Sequence, residues 1–333
     1  MPTPSIETAD PKTRVRAMLA PIADDMLAVE RIIARELRSD APLMQTIAEH
    51  ITAAGGKRMR PALLMLICRA LGYQGELHRE LGATIELLHT ATLMHDDVVD
   101  ESAMRRGQET ANARWGNGVA VLVGDFLYTR SFQMMIRSGN LRVMQALADA
   151  ANMLSEGEIT QMTNAGDPTL NVERYFDVIE RKTAVLFAAA AKMAAAVADA
   201  DEKTEACVTA YAMALGNAFQ IADDWLDYTG DAADIGKNLG ADLREGKVTL
   251  PLIYAMETAS PAERQMIERA VRERDGDFAA ISRIVRESGA IERCRQRAQE
   301  EIDKGKTALL QLPPCIFRDA LLEFLSYTVA RKS

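Results

Sequence analysis

Apolar residues recur at three- and four-residue intervals along most of the chain, as in Met18, Ile22, Met26, Val29 and Ile33. That period predicts helices that bury one face. Runs of alternating β-branched residues joined by hairpin turns are not found, and strong helix formers such as Ala, Leu, Met, Glu, Arg and Gln dominate. Breaks at 55–56, 72–75, 106–107, 116–118, 139–140, 166–168 and 313–314 divide the chain into about a dozen helices. Two are long, over residues 76–102 and 201–228. One extended irregular stretch, 229–247, carries Gly230, Gly236, Gly240 and Gly246. A loop of that length inside a helical fold is expected to be functional, as a lid. No low-complexity linker divides the chain, so residues 1–333 are read as one all-α domain.

Composition narrows the function. The 333 residues include 39 Lys+Arg against 48 Asp+Glu, a net charge of −9, and 48% are hydrophobic. A large core is available, which excludes general disorder. The acidic balance, with only 5% aromatic residues, argues against a nucleic-acid partner. Cys68, Cys207, Cys294 and Cys315 are far apart with no zinc-type spacing, as expected of reduced thiols in a cytoplasmic protein. The polar start MPTPSIETADPK has no signal-peptide core, and no apolar run is long enough to span a bilayer.

Two acidic clusters carry the chemistry. His95-Asp96-Asp97-Val98-Val99-Asp100 and Ala222-Asp223-Asp224-Trp225-Leu226-Asp227 both read DDxxD and both close a long apolar helical pattern. On a helix, Asp96 and Asp100 share one face with Asp97 beside them, and Asp223 and Asp227 repeat this. Like charges at that spacing destabilise a helix, so two such clusters call for cations. EF-hand spacing is absent, and Glu86-Leu87-Leu88-His89 is the single ExxH where a di-iron bundle needs two. Carboxylates alone, few per cluster, suit magnesium that keeps waters and shares a substrate phosphate. Basic residues for that phosphate follow in Gly55-Gly56-Lys57-Arg58-Met59-Arg60-Pro61, in Arg105 and Arg106, in Lys182-Thr183 and in Lys237. The Gly230–Lys237 stretch is not a P-loop, because its glycine spacing is wrong and Asn238 replaces the Ser/Thr.

Taken in order, GGKRMRP, ELLHTATLMHDDVVDESAMRRG, RKTA, FQIADDWLD and GKNLGADLREGKVTLP resemble the trans-polyprenyl diphosphate synthases, over residues 55–251. Flanking text such as VLVGDFLYTRSFQMM is similar to the octaprenyl branch. The resemblance implies an isoprenoid-synthase bundle around a deep central cavity, working as a homodimer. It also implies about three Mg2+ ions, with Asp96, Asp100 and Asp223 as principal ligands and Asp97, Asp224 and Asp227 supporting. It assigns Arg105, Lys182, Thr183, Gln220 and Lys237 to an allylic diphosphate, and Lys57, Arg60, His89 and Arg106 to isopentenyl diphosphate. Lys247 matches a lysine near the phosphate lid of 229–247. Ala91 and Thr92, small where short-chain enzymes carry a bulky aromatic, leave room for a long product. Such a product would be released slowly, through transient contact with a membrane. A class I terpene cyclase or a non-catalytic partner subunit would share the fold, but the intact second cluster, Asp223–Asp227, speaks against both.

Overall fold

Helix Val185–Val197 is alanine-rich and apolar all round, with Lys192 its single charge, and is buried along nearly its whole length. A helix without a polar face must sit inside the protein. Its small side chains let Met59–Ala70, Leu77–Val99, Leu141–Asn164 and Glu202–Thr229 all pack directly against it. The computed structural model describes residues 11–53, 55–105, 107–230 and 239–330. Among these the architecture is all-α. The one departure is a two-residue antiparallel pair, Met104–Arg105 with Gln108–Glu109.

The predicted long helices are observed as Leu77–Val99 and Glu202–Thr229. The first packs along Asn117–Arg137 and the second along Ala290–Leu309. Helix Glu202–Thr229 also joins two apolar cores. Val208, Tyr211 and Leu215 belong to the larger one, and Ile221, Trp225 and Tyr228 to a second core built with Leu250–Thr258 and the helices that follow it. Starts are defined by side-chain caps. Asn140, Asn171 and Asp201 each accept a hydrogen bond from the first turn of the helix they open, and Ser260 with Glu263 forms a capping box. Cys68, Cys207 and Cys294 are buried and free, and Cys315 is free and partly buried. No helix of the described residues is long and apolar enough to cross a membrane.

The sequence pattern missed two local features. Residues 229–247 are not irregular throughout, because Ala241–Arg244 forms one helical turn. Residues Glu180–Ala184 form a π-helical turn that the sequence pattern does not signal. Such turns insert one residue into a helix and recur at functional sites.

Candidate active site

On the first aspartate helix, Glu86, His89, Thr92, Leu93, Asp96 and Asp100 fall at three- and four-residue steps, and all line one cavity of about 860 Å³. Asp97 points elsewhere. It is 6% exposed and accepts hydrogen bonds from the Arg105 guanidinium at 2.8 Å, while its carbonyl accepts from the Asn112 amide at 3.0 Å. Asp97 therefore fixes the Met104–Glu109 turn to the helix, and Arg105 reaches the cavity wall from that turn. Burial raises the Asp96 carboxyl to about 6, with Glu158 and Asp100 adding to it and Lys182 opposing.

The second motif faces the same space: Gln220, Asp223, Asp224 and Asp227 line the cavity. Asp224, 3% exposed, accepts from the Tyr175 hydroxyl at 2.5 Å and the Gln220 amide at 2.8 Å. Burial nevertheless pushes its pKa up to about 7, with Asp223 and Asp227 adding to the rise. Asp227 accepts backbone N–H groups of Gly240, Ala241 and Asp242 at 3.0, 3.3 and 3.3 Å. A carboxylate on the first N–H groups of Ala241–Arg244 satisfies donors the helix leaves unpaired. Asp227 thus anchors the returning end of the predicted lid. Asp242, partly buried beside it, has its carboxyl pushed well above the usual range by desolvation and by the Asp227 and Asp224 charges.

Cations complete the ring. The π turn puts Lys182 and Thr183 on the cavity wall. Lys182 pairs with Glu158 at 2.6 Å, and the Thr183 hydroxyl donates to the Gln220 carbonyl at 2.8 Å. Two glycines let neighbouring helices close on this turn. A Cβ on Gly157 would lie 2.7 Å from the Arg181 Cβ and 3.0 Å from the Lys182 backbone nitrogen. One on Gly216 would lie 2.5 Å from the Ala184 Cα. Lys247 bridges Asp100 at 3.2 Å and Glu245 at 2.5 Å. Burial works against its charge, but the two carboxylates outweigh that and raise its pKa.

Lys57 and Arg60 line the mouth from the start of helix Met59–Ala70, with Arg60 4.5 Å above the Phe187 ring. That helix has no side-chain cap at Arg58. Arg58, just before it, adopts φ 47°, a left-handed conformation uncommon outside glycine. Its guanidinium pairs with Glu30 at 2.7 Å and Glu86 at 2.9 Å, which holds the turn in place. Behind the polar rim the lining is apolar, with Leu154, Val178, Ile179, Leu186 and Phe219.

The structure brings Lys57, Arg60, His89, Thr92, Asp96, Asp100, Arg105, Lys182, Thr183, Gln220, Asp223, Asp224, Asp227 and Lys247 to this single cavity. Ala91 is fully buried in the larger core and is not part of the lining, so the expected opening beside it is absent here; Thr92 occupies the wall at that level. Arg106 and Lys237 lie outside the described residues. Sequence reasoning missed Tyr175, Glu158, Asp242, Glu245 and the Arg58–Glu86 pair. Only Glu86 gave a signal, through its place three residues before His89.

A helical bundle with two acidic motifs and a set of cations around one half-apolar cavity is the arrangement of an isoprenoid synthase. The polyprenyl synthetase family profile matches residues 41–288, and the chain belongs to that family. It is 45% identical over 311 residues to octaprenyl diphosphate synthase of Escherichia coli (strain K12), covering 93% of this chain and 96% of that protein. A polyprenyl synthase from Caulobacter crescentus CB15, solved with calcium and isoprenyl diphosphate, superimposes with a TM-score of 0.93 at 38% identity, over 96% of this chain and 98% of that one. A decaprenyl diphosphate synthase from Rhodobacter capsulatus gives 0.90 at 41% identity, over 96% and 99%. The protein is a long-chain trans-prenyltransferase.

Proposed function

We propose that the protein extends an allylic primer, farnesyl diphosphate, with successive isopentenyl diphosphate units to octaprenyl diphosphate, for quinone side chains. One observation carries the site assignment: Asp96, Asp100 and Asp223 open onto the same cavity as Lys57, Arg60, Arg105, Lys182 and Lys247. The donors are all carboxylate oxygens, which suits a hard cation. Among the described residues no three potential ligands converge into a closed cage, so water and diphosphate oxygens would complete the shell. About three Mg2+ ions held there would stabilise charge on the departing diphosphate.

The chain's own residues do the rest. Arg105, Lys182 and Thr183, with Gln220 supporting Thr183, meet the allylic diphosphate as it gathers charge, an electrostatic contribution aimed at the transition state. Lys57, Arg60 and His89 hold isopentenyl diphosphate so that its double bond faces the allylic carbon at high effective concentration. The proton lost afterwards passes to the departing diphosphate. The apolar wall excludes water that would quench the cation.

The active unit is read as one domain over 1–333 forming a homodimer in the cytoplasm. Leu122, Ile136, Ile159 and Met162 support the dimer, since they are 56–70% exposed on two consecutive helices. Release of the long product through transient membrane contact follows from its apolar length.

The decisive experiment incubates purified protein with Mg2+, farnesyl diphosphate and labelled isopentenyl diphosphate, then sizes the products. Forty-carbon chains, lost in EDTA and restored by excess Mg2+, are expected. Asp96→Ala should lower turnover at least ~10³-fold, on the order of 4 kcal/mol of barrier. Full activity in EDTA would overturn the metal assignment.

A further inference from the structure

Four side chains from three elements form one unbroken chain of hydrogen bonds. Tyr175, on helix Val172–Ile179, donates to Asp224 Oδ2 at 2.5 Å. Gln220, one turn before Asp224 on helix Glu202–Thr229, donates to Asp224 Oδ1 at 2.8 Å. The Gln220 carbonyl accepts from the Thr183 hydroxyl, in the π turn, at 2.8 Å. Tyr175 and Asp224 are each 3% exposed, and Thr183 is 8% exposed. In such surroundings an unmade hydrogen bond is costly, and a chain of them has few alternative arrangements.

With Asp224 ionised, each bond has one direction. Asp224, when ionised, only accepts, so the Gln220 NH2 must face it and the Gln220 carbonyl must face Thr183. The Thr183 proton is therefore committed to Gln220. For Thr183 to donate to a phosphate oxygen instead, that bond must break, and Gln220 is left to find a new partner within reach of Asp224.

We propose that Tyr175 is a positioning residue. Through Asp224 and Gln220 it holds Thr183 ready for the allylic diphosphate and couples arrival of that diphosphate to the geometry of the second aspartate motif. The proposal rests on the reading that Thr183 meets the allylic diphosphate. Tyr175 borders the cavity, but its hydroxyl is committed to Asp224, so it acts through that carboxylate. Its ring packs edge-on against Phe176, with centroids 5.5 Å apart, so Tyr175→Phe preserves the packing and deletes only the hydroxyl.

The test measures KM for farnesyl diphosphate, KM for isopentenyl diphosphate and the Mg2+ concentration for half-maximal rate, in wild type, Tyr175→Phe, Thr183→Val and the double variant. Tyr175→Phe should raise the farnesyl diphosphate KM and the Mg2+ requirement about tenfold, the scale of one lost bond to a charged group. The isopentenyl diphosphate KM should stay put. In the double variant the effects should fall well short of multiplying, because both substitutions cut the same chain. In a Thr183→Ser background, which keeps the hydroxyl, Tyr175→Phe should still raise the farnesyl diphosphate KM. Equal rises in both substrate KM values, or effects that multiply in full, would overturn the proposal. If Tyr175→Phe does not fold by circular dichroism, the same cycle is run with Gln220→Leu and Thr183→Val and is decided by the same multiplicative criterion. Primer- and metal-dependent turnover of the wild type tests the underlying reading separately.

Discussion

Replacing Gly216 by alanine should damage catalysis more than stability. The added methyl would sit 2.5 Å from the Ala184 Cα, 2.7 Å from its Cβ and 3.2 Å from the Phe187 ring. Carbon atoms rest about 3.5–4.0 Å apart, so the π turn must retreat by about 1 Å. Overpacking of that kind costs about 1–3 kcal/mol, and alanine returns about 0.5–1 kcal/mol by its better helix propensity. The net loss is thus at most about 2.5 kcal/mol, a few degrees of melting temperature in a protein of this size. Lys182 and Thr183 ride on the turn that moves. A displacement near 1 Å can cost about 10²-fold in rate, because the charged groups no longer meet the departing diphosphate in line. Steady-state kinetics with farnesyl diphosphate, beside a thermal melt, separate the two effects. A folded Gly216→Ala protein with wild-type kcat would show that the close approach does not set the position of Lys182. Gly157→Ala, which presses on the same turn from the opposite helix, should act in the same direction.

Lys57→Ala should raise the isopentenyl diphosphate KM by ~1.5–3 kcal/mol and leave the primer KM alone, whereas Arg105→Ala should act on the primer and also lower the melting temperature by leaving buried Asp97 without its guanidinium. Equal loss for both substrates in both variants would refute the division of pockets. Thr92→Phe places a ring directly in the cavity and, with a short primer, should limit the products to roughly C15–C20, about three to four isoprene units in all. Ala91→Phe pushes the same wall inward from its packed side and should shorten products at an added cost of ~1–3 kcal/mol. An unchanged product ladder from either folded variant would refute the placement of the tail. Far from the cavity, burial works against the Asp25 charge, but Arg69, Arg79 and His78 outweigh it and hold the carboxyl at about 2 against an ordinary 3.8. Its ionised form therefore stabilises the fold above about pH 4, and that contribution is lost as the pH falls toward about 2. Asp25→Asn should cost ~3 kcal/mol in urea unfolding at neutral pH, and the gap from wild type should narrow below about pH 4. A gap independent of pH would refute this.

What could be read from the chain alone was what repeats locally. The apolar period of Leu77–Val99 and Glu202–Thr229, and the aspartates closing each, are contiguous text, so helices and acidic motifs were legible together. Tyr175 was not, because its partner Asp224 lies 49 residues away and an isolated tyrosine in an amphipathic helix looks like core. The π turn left no trace in composition. Gly157 and Gly216 let two helices close on it, and nothing in RKTA itself requires it. Ala91 illustrates the opposite error. Its small size was correctly noted, but the face it occupies depends on how the helix is rotated against Asn117–Arg137 and Val185–Val197, which only packing decides.

The partners of Asp97, Asp224 and Asp227 bear on how the protein reaches its native state. Their compensation is built into the polypeptide: a guanidinium for the first, a phenol and an amide for the second, three peptide N–H groups for the third. A small zinc domain unfolds when stripped of its ion, because the ion is its only staple. Here the acidic helix ends are held by the chain itself, and the carboxylates left for a cation stand at the rim of a solvent-reaching cavity. Folding and metal loading are thereby separable events. Chelation should silence turnover while circular dichroism and melting behaviour persist.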